Sequence, residues 1–346
     1  MAPKMKKFKK SSKNPIYDTN WCDMPPEIKV KCIGKMEFKE RLLLRCTAKA
    51  ERSLVDSQKI EFQNGEFWAD DEDIVFKLNR GKNSNFLKSP KNINVAVGFL
   101  KYIKKVGVFE NLKLCFGDLF TDNEQFNTDD GLFAAKKVEI EQCEMDNVVP
   151  SILWEIEDGV ESIKINVDRK VFRQFDELLE ISNVFQVQNV PYWHLQNYGE
   201  SDSLHKVAKM WIETNAKVGF TFQASIYKEG SFAAFLEHFT DSIVSKDERR
   251  VRIRTKNPDI HILLERGLDE IVETDDIPQF SRLRVIPAEM KKSEYDNNCK
   301  EWISIMDPDV YESESESEEE WPEYFGISFD EDEDGDDFDP VDYYTL

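Results

Sequence analysis

The sequence predicts a mixed α+β and α/β protein. A small helical unit near the N-terminus is followed by a solenoid of strand–helix units, and both ends are disordered. Three observations predict this. Two amphipathic runs of helical period lie between Met24 and Ser57. Apolar runs of period 2 recur between Leu112 and Ile253, with helical segments between most of them. Charge is gathered at the ends: the first thirteen residues hold six lysines, and Glu312 to Leu346 hold sixteen acidic residues and no basic one.

The helical unit is predicted over 23–62. Ile28, Cys32, Ile33 and Met36 fall on one face of the first run, and Leu42, Leu43, Cys46 and Ala50 on one face of the second. Helices this short are marginal alone, and some forty residues bury little core. The unit must pack on something larger, and its apolar surplus points to a docking module.

A hairpin and a linking helix are predicted over 63–110. Lys59–Phe62 and Glu66–Trp68 alternate around Asn64-Gly65, a hairpin signal, and Asp73–Leu78 adds a third strand. Gly81 to Asn94 reads as loop. Val95, Phe99, Ile103 and Val106 mark a helix, with Gly107 at the C-cap.

The region 111–306 reads as repeat-like. Apolar alternating runs stand at Leu112–Phe116, Val138–Ile140, Ile163–Val167, Val184–Val187, Val218–Phe222 and Val251–Ile253. Helices are predicted at Val148–Ile156, around Phe172, Phe175, Leu178 and Leu179, from Leu204 to Ile212, and from Phe232 to Phe239. Strand starts about 21 to 34 residues apart suit repeated strand–helix units. This is a degenerate leucine-rich-repeat-like solenoid, with strands side by side and helices outside. A doubly wound open sheet would give the same alternation. Ile262–Leu264, Ile271–Val272 and Leu283–Ile286 are predicted closing strands.

Composition narrows the function. The 346 residues predict two to three domains, and the net charge of −22 argues against non-specific nucleic-acid binding, which needs a basic surface. The acidic tail accounts for −16 of it, and the body is acidic as well. The six cysteines are scattered without a CxxC pair; Cys32 and Cys46 read as small buried hydrophobes. The lysine-rich start at 1–22 has no apolar core of the signal-peptide kind, and serves as a solvated tail or an import signal. The longest apolar run, Val95 to Leu100, is too short to span a bilayer. The expectation is a soluble protein of the cytoplasm and/or nucleus, with no membrane partner.

No catalytic constellation is visible. His194, His205, His238 and His261 are isolated, and there is no HExxH, GxSxG, GxxxxGK[ST] or GxGxxG pattern. No cofactor or metal is expected.

Met24-Pro25-Pro26-Glu27-Ile28 resembles the opening "Leu-Pro-x-Glu-hydrophobic" of an F-box. Ile33…Met36…Phe38 and Leu42-Leu43-Leu44-Arg45-Cys46-Thr47 are similar to its later segments, while the usual tryptophan near the end is replaced by Ala50-Glu51-Arg52. The stretches Asn257-Pro258-Asp259…Ile262-Leu263-Leu264-Glu265-Arg266-Gly267-Leu268-Asp269-Glu270 and Asn298-Cys299-Lys300-Glu301-Trp302 resemble those of nematode-expanded F-box proteins. The resemblance implies a substrate-recognition subunit of an SCF-type ubiquitin ligase, in which other subunits catalyse transfer. The F-box would bind a Skp-type adaptor, and through it a cullin scaffold; the solenoid would hold a target protein. A scaffold that engages no ligase is the alternative; an enzyme on an α/β sheet is a third.

Pro25, Ile28, Ile33, Met36, Leu42 and Leu43 are expected to divide between the module's core and the adaptor surface. In the solenoid, Val251 and Ile253 should point inward and Arg252 and Arg254 outward. With Arg282 and Arg284 they form a basic strip able to grip an acidic target segment. The tail at 307–346 interleaves aromatics with acid blocks, and either binds or solubilises. Ser313, Ser315 and Ser317 each have a glutamate three residues on, which suits an acidophilic kinase; the tail either folds back on the arginines or leaves binding untouched.

Overall fold

A computed structural model describes residues 20–69, 74–81, 85–90, 92–116, 131–143, 148–167, 188–198, 203–226, 230–267 and 279–305. The chain divides into two compact units, Met1–Gln58 and Lys59–Leu346.

The first unit is helical. A 3-10 turn at Trp21–Asp23 precedes α1 (Pro26–Lys35), α2 (Phe38–Arg45) and α3 (Lys49–Asp56). Pro26 at the first position presets φ for α1. α2 opens on a capping box in which the Glu37 amide donates to Glu40 at 2.8 Å. The second amphipathic run is thus two helices, not one. After Arg45 the Cys46 amide bonds the Leu43 carbonyl and the Thr47 hydroxyl the Leu44 carbonyl at 2.8 Å, tightening the last turn. Ala48 is then extended, so Ala50 does not continue the face of Leu42.

The second unit holds, among the described residues, a sheet of twelve strands that does not close. The strands are β1 (Ile60–Ala69), β2 (Ile74–Asn79), β3 (Asn85–Lys88), β4 (Gly107–Phe116), β5 (Ala134–Cys143), β6 (Ser162–Val167), β7 (Tyr192–Tyr198), β8 (Thr221–Ile226), β9 (Ile243–Lys246), β10 (Arg250–Arg254), β11 (Ile260–Arg266) and β12 (Gln279–Pro287). Their spatial order is β3-β2-β1-β4-β5-β6-β7-β8-β12-β11-β10-β9. β1 and β4 to β8 are parallel neighbours, and antiparallel strands flank them on both sides. From β4 to β8 the strands follow chain order, without the reversal of a doubly wound sheet. Among the described residues the second unit's α-helices are α4 (Ile93–Val106), α5 (Val148–Trp154), α6 (Ser203–Thr214), α7 (Ser231–His238) and α8 (Lys292–Ile305).

One sheet face is apolar. In register across it run Leu112, Val138, Ile163, Trp193, Phe222, Leu283, Leu264 and Val251, all buried. At the β1 end the core is phenylalanine. Phe67 meets Phe76, Phe109 and Phe133 at ring-centroid distances of 5.4 to 5.8 Å, and Phe76 meets Phe99 at 5.0 Å.

Asn64-Gly65 makes no hairpin; both residues lie inside the unbroken β1. Asn111 donates to the Asn64 side chain at 3.0 Å and the Gln63 carbonyl at 3.1 Å, and the Phe109 ring fills the space over Gly65. The tertiary partner overrides the local turn signal. Gly107 ends α4, but in extended conformation as the first residue of β4. Its glycine is required by proximity, since a Cβ would stand 2.8 Å from the Ile103 carbonyl. The expected loop from Gly81 to Asn94 contains β3 and the start of α4. β8 starts at Thr221 rather than Val218, because Lys217–Gly219 turn with Gly219 at φ 96°. β7 and β9 carry no sequence expectation. The strands at Val184–Val187 and Ile271–Val272 and the helix around Phe172 to Leu179 lie outside the described residues.

Candidate functional site

The helical unit sorts its apolar residues in two. Ile33, Phe38, Leu42 and Val55 are buried and form its core. Ile28 and Leu43 are 43% and 42% exposed, Pro25 is exposed, and Met36 is half-buried. Leaving two large aliphatic side chains in water costs hydrophobic free energy that burial against a partner would recover, roughly 25 cal/mol per Å² covered.

Polar contacts tie the three helices together. Buried Arg41 donates to the Gly34 carbonyl at 3.0 Å and the Met36 carbonyl at 3.3 Å, satisfying the C-terminal end of α1. Arg45 grips Asp56 with two bonds of 2.7 and 3.3 Å, tying α2 to α3. Glu51 of α3 accepts from Lys29 at 3.2 Å and from Trp21 at 3.3 Å. The Lys29 bond pulls the Glu51 carboxyl below the usual range. Trp21 and Arg41 carry no sequence expectation, and the start of α3 reads in the sequence as a continuation of α2. The cation at position 41 inside an apolar face is the signal that marked it.

The second candidate is the sheet face opposite the apolar one. A single polar row crosses ten strands in register: Lys77, Glu66, Lys113, Glu139, Lys164, His194, Gln223, Arg282, Glu265 and Arg250. Lysines and glutamates pair along it. Lys77 meets Glu66 at 3.2 Å, Lys113 meets Glu141 at 2.7 Å, and Lys164 meets Glu139 at 2.6 Å. Such exposed pairs add little stability, but they leave the β2–β6 part of the face hydrophilic and locally neutral. His194 is buried, and desolvation, helped by the charge of Lys164, holds its imidazole down at about 4.

At the other end α8 lies over this face. Tyr295 and Met290 pack with Leu263 and Ile286, and Arg250 pairs with Asp296. The expected outward strip is therefore corrected. Val251 and Ile253 do point inward, but Arg252 is only 8% exposed. It donates to the Met290 and Ala288 carbonyls at 2.6 Å each and to His261 Nδ1 at 2.8 Å. Arg282 is buried too; it binds buried Glu265 at 2.7 Å and stacks on Trp302 at 4.6 Å. Arg254 is exposed and Arg284 half-buried. Burial, then Glu265, pushes the Cys299 thiol up to about 12, which leaves it inert as a nucleophile. Ser313, Ser315 and Ser317 lie outside the described residues. Among the described residues no cluster of histidine, cysteine and carboxylates is placed to hold a metal, and no helix is long and apolar enough to cross a membrane.

No curated protein matches the chain. A crystal structure of an S-adenosylmethionine-dependent methyltransferase from Clostridium acetobutylicum covers 79% of this chain and 84% of its own at 11% identity; its TM-score of 0.13 carries no argument. Residues 21–63, the helical unit with the first residues of β1, match the F-box domain model.

Proposed function

We propose that the protein is the substrate-recognition subunit of an SCF-type E3 ubiquitin ligase, itself without catalysis. The F-box unit binds a Skp-type adaptor and, through it, the cullin scaffold; the sheet domain holds a target protein. The observation that carries this reading is the F-box match at residues 21–63, on a unit whose Ile28 and Leu43 stay exposed while Ile33 and Leu42 form its core. Pro25, Ile28 and Leu43, with half-buried Met36, are the adaptor anchors in this reading. A few such apolar anchors dominate the energy of a typical interface.

We read β4 to β8 as a degenerate leucine-rich-repeat-like array. Their parallel pairing in chain order supports it. The resemblance of 257–270 and 298–302 to nematode-expanded F-box proteins favours the same reading. The target lies on the polar face, where of the four candidate arginines Arg254 and Arg284 stay accessible while Arg252 and Arg282 serve the fold. The acidic tail keeps the protein soluble, with Ser313, Ser315 and Ser317 as sites for an acidophilic kinase, and the protein acts in the cytoplasm and/or nucleus.

Affinity purification of the tagged full chain from cells tests the proposal. Adaptor and cullin peptides are expected in the eluate. A soluble chain that returns neither belongs to a scaffold outside any ligase.

A further inference from the structure

Where the polar row reaches β12, positive charge outnumbers negative. Glu265 is taken up by Arg282, whose Nε and Nη2 approach Oε2 at 2.8 and 2.7 Å. Two residues on and on the same face, Arg284 donates through Nη1 to Asn298 Oδ1 at 2.9 Å. The same oxygen accepts from Arg282 Nη2 at 3.0 Å. Two guanidiniums thus share one neutral amide oxygen and one carboxylate. Among the described residues no carboxylate pairs with Arg284. Burial and the charge of Arg282 lower its hold on its proton, as expected of a cation short of a counter-charge. Opposite it on β8 stands Thr221, and beyond that on β7 Tyr192, 36% exposed, so hydroxyls and solvent border the site. A half-buried guanidinium with donors to spare matches a planar carboxylate.

We propose that this corner of the sheet binds a carboxylate from an acidic segment of the target protein, with Arg284 as the pairing residue. The proposal deepens the receptor reading and rests on it for the partner's role. Charge complementarity selects the partner: on a chain of net charge −22, a local surplus of positive charge is where an acidic segment can land against the general repulsion.

The test uses the full chain and a fluorescent synthetic peptide of alternating glutamate and serine, with a glutamine-for-glutamate peptide as control. The glutamate peptide should bind and the glutamine peptide should not. Arg284→Gln should weaken binding by roughly tenfold, as for loss of one partner of a partly buried charge pair, and Arg284→Lys should restore part of it. Circular dichroism and adaptor binding of each variant are measured in parallel. Equal peptide binding by folded Arg284→Gln and the unaltered protein overturns the proposal. Tighter peptide binding after the six glutamates between Glu312 and Glu320 are changed to glutamine also overturns it, by making the chain's own tail the occupant. Peptide binding that depends on Arg284 in a chain that ignores the adaptor supports the carboxylate site and removes the receptor reading.

Discussion

Gly65 lies beneath the ring of Phe109: a Cβ on the glycine would stand 2.6 Å from the ring's Cδ1 and closer still to Cε1. Backbone φ is not at issue, since Gly65 sits in ordinary strand conformation; the constraint is space. Gly65→Ala should destabilise the sheet unit by about 1–3 kcal/mol, the usual cost of overpacking a filled core. Urea denaturation followed by tryptophan fluorescence checks this. Gly34, inside α1 with nothing within 4 Å, is the contrast. Gly34→Ala should be neutral or stabilise the helical unit by up to about 1 kcal/mol.

Lys104 of α4 is buried and pairs with Glu155, its ammonium 5.2 Å from the Phe133 ring centroid. Removing one partner strands a charge away from water. Glu155→Ala should therefore cost about 3 kcal/mol, and Glu155→Ala with Lys104→Met distinctly less than the sum of the two single changes. A double-mutant cycle by thermal or urea unfolding decides it; additive costs would show that the pair is not coupled.

His194 gives the sheet unit a pH dependence. Its folded pKa is about 4 against an ordinary 6.5, so between those values the unfolded chain binds the extra proton. Stability from this group is complete above pH 6.5 and is lost as pH falls towards 4, by at most about 3 kcal/mol. Carboxylates begin to titrate at the lower end, so the informative window is pH 6.5 to 5. His194→Gln should flatten the stability–pH curve there, and an unchanged slope would contradict the assignment.

Local periodicity made part of this molecule legible. Helical spacing puts Ile33 and Leu42 on apolar faces, and strand alternation turns Val251 and Ile253 inward, because those signals lie within a few residues of chain. What period 2 could not show is the cover on the other face. Arg252 reads as solvated until Met290 and Ala288, nearly forty residues away, supply carbonyls to it. The Asn64-Gly65 signal fails for the same reason: Phe109 and Asn111 on a parallel neighbour overrule it. β7 escaped notice because only Trp193 and Leu195 of its central residues are apolar, alternating with His194 and Gln196. The charged row from Lys77 to Arg250 is invisible in sequence, since its order depends on the register of ten strands. In the helical unit, which of Pro25, Ile28, Ile33, Met36, Leu42 and Leu43 face water depends on how α1 and α2 pack on α3, which the sequence does not show.

Adaptor binding through the exposed Ile28 and Leu43 is the property on which the proposed function stands. Its most direct measurement is the affinity of the full chain for a purified Skp-type adaptor, by calorimetry, for the unaltered protein and for Leu43→Asp and Ile28→Asp. Both positions are over two-fifths exposed, so the variants should fold, with unchanged circular dichroism. A buried carboxylate without a partner costs several kcal/mol at an interface. Tight binding by the unaltered chain and a loss of at least about a hundredfold in each variant are expected. Undiminished binding by the folded Leu43→Asp and Ile28→Asp proteins would contradict it.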